Sequence, residues 1–154
     1  LQKVENSPFA IDHSEDLRKR IRMAKNILYL GDNAGEIVMD RLLIETMNHP
    51  GVTCAVRGYP VINDATLEDA RMVGMERVAK VISNGYDAPS TILEEVNGEF
   101  TKAWQKADLI IAKGQGNFEG LMHQRDQRLF FLLTVKCQVI GDMLGVQKGE
   151  FVVK

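Results

Sequence analysis

The sequence predicts an α/β fold, a three-layer Rossmann-like sandwich with a mainly parallel sheet and helices on both faces. Short apolar runs, typical of buried parallel strands, alternate with longer segments in which apolar residues recur at helical spacing. Four of these runs are followed at once by polar residues, and they occupy positions 27–30, 52–56, 109–112 and 130–135. If the runs are parallel strands, the polar residues share the carboxyl edge of the sheet, where open α/β folds bind ligands.

The first half of the chain predicts a helix followed by a βαβ unit. Ser14 is placed to cap that helix, whose first turn is acidic and whose later turns are basic, in agreement with the helix dipole. A second helix, with apolar residues recurring from Ile37 to Met47, separates the first two strands. Residues 1–13 resemble a connector. We therefore expect residues 1–24 to form an N-terminal connector and helix, and residues 25–154 to form the main domain.

The second half of the chain continues the alternation. Asn63 is expected to cap a short helix that ends near Met72, and a strand is expected at 78–82. Thr91, with Glu94 three residues later, has the form of a capping box for the next helix. The remaining expected elements are strands at 108–112 and 129–135, a helix from 118 to about 125 between them, a short helix ended by Gly145, and an edge strand at 151–153.

Composition argues against several classes of protein. The 154 residues are 45% hydrophobic and 26% charged, which is typical of one globular domain. A net charge of −2 gives no general affinity for nucleic acid or anionic membrane. The chain has no apolar stretch of transmembrane length, and its first residues are too polar for a secretory signal. Cys54 and Cys137 lack CxxC spacing and are expected to be buried, reduced thiols, so we expect a cytoplasmic protein.

Hard oxygen donors follow the first two strands of the main domain. Asp32 and Asn33 come directly after one strand, and Asp64 follows the next. Such residues are common in turns, where they bond their own backbone. Two carboxylates and an amide oxygen at neighbouring strand ends also form a partial shell for Mg²⁺ or Mn²⁺. Glu36 either complements the dipole of the helix that follows or contacts a metal ligand or a substrate hydroxyl.

Two lysines follow the last two strands. Lys113 precedes Gly114, Gly116 and Asn117, whose backbone N–H groups can hold an anion at the start of a helix. Lys136 follows a wholly apolar strand and is expected to be a phosphate ligand or a member of a structural ion pair.

The glycines of this segment allow a rival interpretation. Gly114, Gly116 and Gly120 approximate the fingerprint of dinucleotide-binding folds. That fingerprint would be unusual on the fourth strand, and no clear acidic residue closes the next strand to hold a ribose.

Four segments together resemble the motifs of the metal-dependent damage-control phosphatases, also described as domain of unknown function 89. The segments are residues 31–36, 63–66, 113–119 and 136–137, and the similarity to the prokaryotic branch runs from about residue 25 to residue 154. The resemblance implies that Asp32, Asn33 and Asp64 bind a divalent metal. It also implies that the substrate phosphate is bound by Lys113, Gly116, Asn117 and Lys136.

The resemblance further implies an enzyme of metabolite repair. Its expected reaction is hydrolysis of phosphomonoesters of small metabolites, such as sugar phosphates and phosphopantetheine-like or damaged cofactor derivatives, with Mg²⁺, Mn²⁺, Co²⁺ or Ni²⁺. Family members carry an additional helical N-terminal region that covers the site. Because that region does not precede Leu1, we expect this chain to be the C-terminal catalytic portion of a longer protein, with the missing region as its partner.

The expected mechanism divides the work among these residues. The metal acts as a Lewis acid on the phosphate, Lys113 and Lys136 neutralise its other oxygens, and the backbone from Gly114 to Asn117 cradles it. Whether Asp32 or a metal-bound water is the nucleophile stays open. Two alternatives remain, namely a Rossmann-type nucleotide-binding domain and a noncatalytic metal-binding or phosphate-binding module.

Overall fold

The computed structural model describes residues 7–154, whose strands form a single sheet. The strands are β1 (Phe9–Asp12), β2 (Ile27–Leu30), β3 (Val52–Val56), β4 (Lys80–Ser83), β5 (Leu109–Lys113), β6 (Leu129–Thr134) and β7 (Phe151–Val153). The helices are α1 (Ser14–Met23), α2 (Ile37–Met47), α3 (Leu67–Met72), α4 (Gly98–Lys106), α5 (Gly114–Leu121) and α6 (Gln138–Leu144). Short 3-10 turns occupy Met75–Arg77 and Met122–Gln124.

The strand order places the candidate loops beside one another. The sheet runs β1-β7-β6-β5-β2-β3-β4, and every neighbouring pair is parallel except β6 and β7. From β2 the chain moves outward to β3 and β4, and it then returns to the other side of β2 to form β5 and β6. The point between β2 and β5 is therefore a topological switch, where the connecting loops diverge and leave a crevice. The predicted fold class is confirmed.

A separate apolar cluster covers each face of the sheet. On one face, Tyr29 and Ile111 of the strands pack with residues of α1, α2 and α3. On the other face, Ile110 and Phe131 pack with residues of α4, α5 and α6. The interior strand β2 is fully buried on both faces, which explains its continuous apolar sequence.

The N-terminal segment differs from the expected connector. Phe9–Asp12 forms β1 and pairs in parallel with β7, so β7 lies between β1 and β6 rather than at the edge. Most side chains of β1 are exposed, and the strand therefore has no buried apolar pattern that sequence analysis could detect. Residues 1–6 of the expected connector lie outside the described residues.

The starts of two helices also differ from expectation. Ser14 is the first residue of α1 rather than its cap, and its backbone N–H donates to Asp12 Oδ1 at 2.9 Å. Helix α3 is capped by Thr66 in a capping box with Asp69, so Asn63 is not the cap. In both cases a neighbouring Asp or Thr supplies the oxygen that the backbone needs.

Helices α4 and α5 begin at other positions than predicted. Asn97 caps α4, and its Oδ1 accepts from the N–H of Phe100 at 2.9 Å, so the Thr91 capping box does not form. Helix α5 begins at Gly114, directly after β5, and not at residue 118. The glycine-rich segment is therefore the first turn of a helix and not a loop.

Two smaller expectations can be compared with the structure. Cys54 and Cys137 are both free thiols, but Cys137 is only partly buried. Within residues 7–154, the helices are all too short or too polar to cross a membrane.

Candidate active site at the carboxyl edge of the sheet

Five of the predicted site residues line one cavity. The cavity has a volume of about 330 Å³, and the five are Asp32, Glu36, Lys113, Gly114 and Lys136. Its other wall is mostly apolar and comes from β1, β6 and β7. Asn33, Asp64, Gly116 and Asn117 are not among the lining residues.

The loops that carry the two predicted aspartates are tied together by their backbones. Asn33 and Asp64 form an isolated antiparallel bridge. Within it, the N–H of Ala65 donates to the carbonyl oxygen of Asp32 at 2.7 Å. The two loops follow the adjacent strands β2 and β3, so register and bridge together bring the first two motifs side by side.

The carboxylates of this pair are unfavourably placed for two negative charges. Asp32 is 6% exposed and Asp64 is 8% exposed. Burial raises the pKa of Asp32 to about 6, and the nearby charges of Asp64 and Glu36 act in the same direction. A cation placed between these groups would relieve both the desolvation and the repulsion.

The donor set fits a divalent cation. The amide N–H₂ of Asn33 donates to Asp32 Oδ2 at 3.0 Å and to Glu36 Oε1 at 2.9 Å, which leaves its carbonyl oxygen available. Residues 7–154 hold no cluster of three His, Cys, Asp or Glu side chains suited to a metal. The predicted set has only two carboxylates and an amide oxygen, and so few protein ligands leave positions for water and substrate, as is typical for Mg²⁺.

A buried arginine, not predicted from the sequence, orients Asp64. Arg57 is 3% exposed, and its Nε donates to Asp64 Oδ2 at 2.6 Å. Its other nitrogens donate to Thr91 Oγ1 at 3.2 Å and to Asn117 Oδ1 at 3.1 Å. The signal that marked Lys136, a basic residue directly after an apolar strand, also applies to Arg57 and could have found it.

The Asn117 side chain is hydrogen-bonded on all sides within the fold. Its side chain is fully buried, and its Nδ2 donates to the carbonyl oxygens of Gly31 at 3.1 Å and Lys113 at 2.8 Å. Its Oδ1 accepts from Arg57 and, at 2.8 Å, from Thr91. Because its side-chain hydrogen-bonding capacity is used, Asn117 joins the loops after β2, β3 and β5, and its contact with phosphate stays a prediction.

The glycines of α5 are required by close packing. Gly114 has a φ of +79°, and a Cβ there would overlap the Asp32 carboxylate. Side chains at Gly116 and Gly120 would overlap the backbone carbonyls of Pro89 and Thr91. The spacing that approximates a dinucleotide fingerprint therefore lets α5 pack against Asp32 and the segment before α4. Gly116 meets that segment rather than the cavity.

Lys113 is held at the cavity by two carboxylates. Its Nζ lies 2.8 Å from Asp40 Oδ1 and 3.4 Å from Glu36 Oε2. Asp40 is 2% exposed and accepts a further hydrogen bond from the hydroxyl of Tyr29 at 2.6 Å. Asp40 and Tyr29 were not predicted, because both resemble ordinary residues of a helix and a buried strand.

Lys136 has the exposure expected of a substrate ligand. Its side chain is exposed at the cavity, and its backbone N–H donates to Gln115 Oε1 at 2.7 Å. Within residues 7–154 its ammonium group forms no ion pair, which disfavours the structural alternative. Its positive charge acts to lower the pKa of Asp32, although burial outweighs it.

Comparison with known proteins identifies the family. The family model described as the damage-control phosphatase ARMT1-like domain matches residues 1–152. A damage-control phosphatase of Pyrococcus horikoshii is 43% identical over 99% of this chain and 54% of its own length. A damage-control phosphatase of Archaeoglobus fulgidus is 41% identical over 83% of this chain and 46% of its own length.

A solved structure agrees with these sequence matches. The crystal structure of a domain-of-unknown-function-89 family protein from Pyrococcus horikoshii aligns with a TM-score of 0.95 at 43% identity, covering 99% of this chain and 54% of that one. The chain spans about half the length of the curated relatives it matches. It belongs to the ARMT1-like damage-control phosphatase family.

Proposed function

We propose that this member of the damage-control phosphatase family is a metal-dependent phosphatase that hydrolyses phosphomonoesters of small metabolites. The observation that carries the proposal is the position of Asp32. It lies buried beside Asp64 and lines the same cavity as Lys113 and Lys136. Two desolvated carboxylates next to two lysines suit a cation and the phosphate bound to it.

Asp32, Asn33 and Asp64 are the residues that would hold the metal. Arg57 fixes one oxygen of Asp64 and leaves the other for coordination. A divalent cation bound there would supply Lewis-acid chemistry, which stabilises charge on a phosphate oxygen. We include Mg²⁺, Mn²⁺, Co²⁺ and Ni²⁺ in the proposal, since the donor set does not select among them.

The cationic groups of this chain would hold the remaining phosphate oxygens. Lys113 ends β5, and Lys136 lies just after the neighbouring strand β6. Both line the cavity together with Gly114. The N–H groups of the first turn of α5 begin at Gly114, next to Asp32. Together they would stabilise the negative charge that develops as the ester bond breaks.

The family and the half-length match support the remaining parts of the proposal. Substrates would be sugar phosphates or phosphopantetheine-like or damaged cofactor derivatives, and the enzyme would act in the cytoplasm. The rest of a longer protein would cover the cavity. A noncatalytic module that binds metal and phosphate is the alternative. A dinucleotide site is disfavoured, because packing explains the glycines of α5.

The test is phosphate release from sugar phosphates, phosphopantetheine and p-nitrophenyl phosphate with Mg²⁺, Mn²⁺, Co²⁺, Ni²⁺ or EDTA. The protein should carry every residue that its gene encodes. We expect turnover with at least one metal, none with EDTA, and none for Asp32→Ala, which removes a metal ligand.

The matched control is Asp108→Ala, which removes a carboxylate at the opposite edge of the sheet and should leave turnover per folded molecule unchanged. Full activity of Asp32→Ala would contradict the proposal. Metal and phosphate binding without turnover on any substrate would favour the noncatalytic module.

A further inference from the structure

A chain of three polar side chains runs from the core to the cavity. The Tyr29 hydroxyl donates to Asp40 Oδ1 at 2.6 Å, and Lys113 Nζ lies 2.8 Å from the same oxygen. Tyr29 belongs to the interior strand β2, Asp40 to α2, and Lys113 to the end of β5. The contact therefore joins the sheet, a covering helix and the candidate active site.

The burial of Asp40 is not explained by stability alone. Asp40 is 2% exposed, and its Oδ2 is buried without a hydrogen-bond partner in residues 7–154. A buried carboxylate with an unsatisfied oxygen costs free energy, and an apolar residue facing the core would avoid that cost. Because this unfavourable carboxylate contacts Lys113 at the cavity, we interpret its role as positioning that lysine.

We propose that Asp40, anchored by Tyr29, is a positioning residue that holds the Lys113 ammonium group at the phosphate position beside Asp32. This inference rests on the proposed function. An ammonium group has three N–H donors. Asp40 takes one and Glu36, at 3.4 Å, a second, so the third remains for a ligand in the cavity that Lys113 lines.

The charge states agree with this role. Burial acts to lower the pKa of Lys113, but the charge and hydrogen bond of Asp40 outweigh it, and the pKa is raised. Burial and the charge of Asp40 also raise the pKa of Tyr29, which keeps its hydroxyl a neutral donor. Lys113 therefore stays cationic while its long side chain is confined, which lowers the entropy lost when it binds an anion.

A double-mutant cycle separates positioning from a general effect on structure. Asp40→Asn and Tyr29→Phe are each made in wild type and in Lys113→Met. The readouts are kcat/KM for the best substrate and the Kd of inorganic phosphate, measured by calorimetry with Mn²⁺ present. If Asp40 acts through Lys113, Asp40→Asn weakens phosphate binding about tenfold or more. Tyr29→Phe weakens it about threefold, and both effects disappear in Lys113→Met.

The controls keep the test decisive. Glu45→Gln removes another carboxylate from α2, half-exposed in its pair with Arg41, and should leave both readouts unchanged. Effects of Asp40→Asn and Tyr29→Phe that persist in Lys113→Met would overturn the inference. If Asp40→Asn fails to fold, Tyr29→Phe in the two backgrounds decides.

Failure of the proposed function gives a different result. Coupling in phosphate Kd without any turnover would support the positioning role and contradict the phosphatase. Turnover in which the effects of Asp40→Asn and Lys113→Met are additive would support the phosphatase and contradict the positioning role. Neither turnover nor phosphate binding in wild type would overturn both.

Discussion

Carboxylates at the two edges of the sheet have opposite environments. At the amino edge, Asp108 accepts backbone N–H groups of Asn26 at 2.8 Å and Lys25 at 2.9 Å, and these bonds lower its pKa. At the carboxyl edge, burial raises the pKa of Asp32 to about 6. The fold therefore stabilises the ionised form of Asp108 and destabilises the ionised form of Asp32. We infer that the carboxylates at the amino edge stabilise the structure, whereas those at the carboxyl edge are available to bind a ligand.

The largest expected effect concerns the arginine of the carboxyl edge. Arg57→Met leaves Asp64, Thr91 and Asn117 without their shared donor in a buried site. We expect the free energy of unfolding, measured in urea, to fall by about 3–5 kcal/mol. Arg18→Met, which removes an exposed partner of Glu15, should change it by less than about 0.5 kcal/mol. Equal effects would show that the network contributes little.

The ionised Asp32 side chain is expected to lower the free energy of unfolding when no metal is present. Its raised pKa means that between pH 3.8 and about 6 the unfolded state ionises while the folded state stays protonated, so stability falls as pH rises. In EDTA, Asp32→Asn should therefore stabilise the protein by up to about 3 kcal/mol above pH 6 and by little near pH 4. Thermal unfolding of both proteins across this range measures the gain. A destabilised Asp32→Asn protein at pH 7.5 would contradict the comparison.

Gly114 tests the close approach of α5 to Asp32. Gly114→Ala introduces a Cβ at a φ of +79° and onto the Asp32 carboxylate. We expect a stability loss of about 1–2 kcal/mol from the backbone conformation and a loss of metal binding as Asp32 is displaced. Gly145→Ala has a similar φ of +71° but no neighbouring atom within 4 Å. It should show the stability loss alone, as calorimetry with Mn²⁺ can verify.

The smallest effect belongs to the amino edge. Asp126 accepts from the backbone N–H and the guanidinium of Arg128, and these contacts lower its pKa. A lowered pKa contributes stability that is present above pH 3.8 and is lost as pH falls through the folded-state value. Asp126→Asn should thus destabilise the protein by about 1 kcal/mol at pH 7, the opposite sign to Asp32→Asn. If urea unfolding at pH 7 shows that Asp126→Asn is as stable as wild type, the contrast between the two edges does not hold.

Local sequence patterns predicted where the candidate metal ligands lie in the fold. Asp32 and Asn33 come just after one buried strand, Asp64 lies in the loop that follows the next, and the apolar runs of both strands are unambiguous. Once the strands are parallel and adjacent, these side chains must share one edge. The fold class followed for the same reason.

Contacts between distant segments were not predictable in the same way. Thr91 matches a capping box with Glu94, yet it bonds Asn117, 26 residues away, because tertiary contacts outweigh a local preference. Asp40 lies in a helix, and the periodicity of that helix does not indicate its contact with Lys113, which is on a distant strand. Strand β1 was missed because its side chains are mostly exposed.

Calorimetric titration with Mn²⁺ tests the central claim most directly, namely that Asp32 belongs to a metal site at the carboxyl edge. We predict that wild type and Asp108→Asn bind one Mn²⁺ per chain with equal affinity, and that Asp32→Asn binds it at least about a hundredfold more weakly, since a charged ligand is lost. Mn²⁺ binding by Asp32→Asn as tight as that of wild type would contradict the claim.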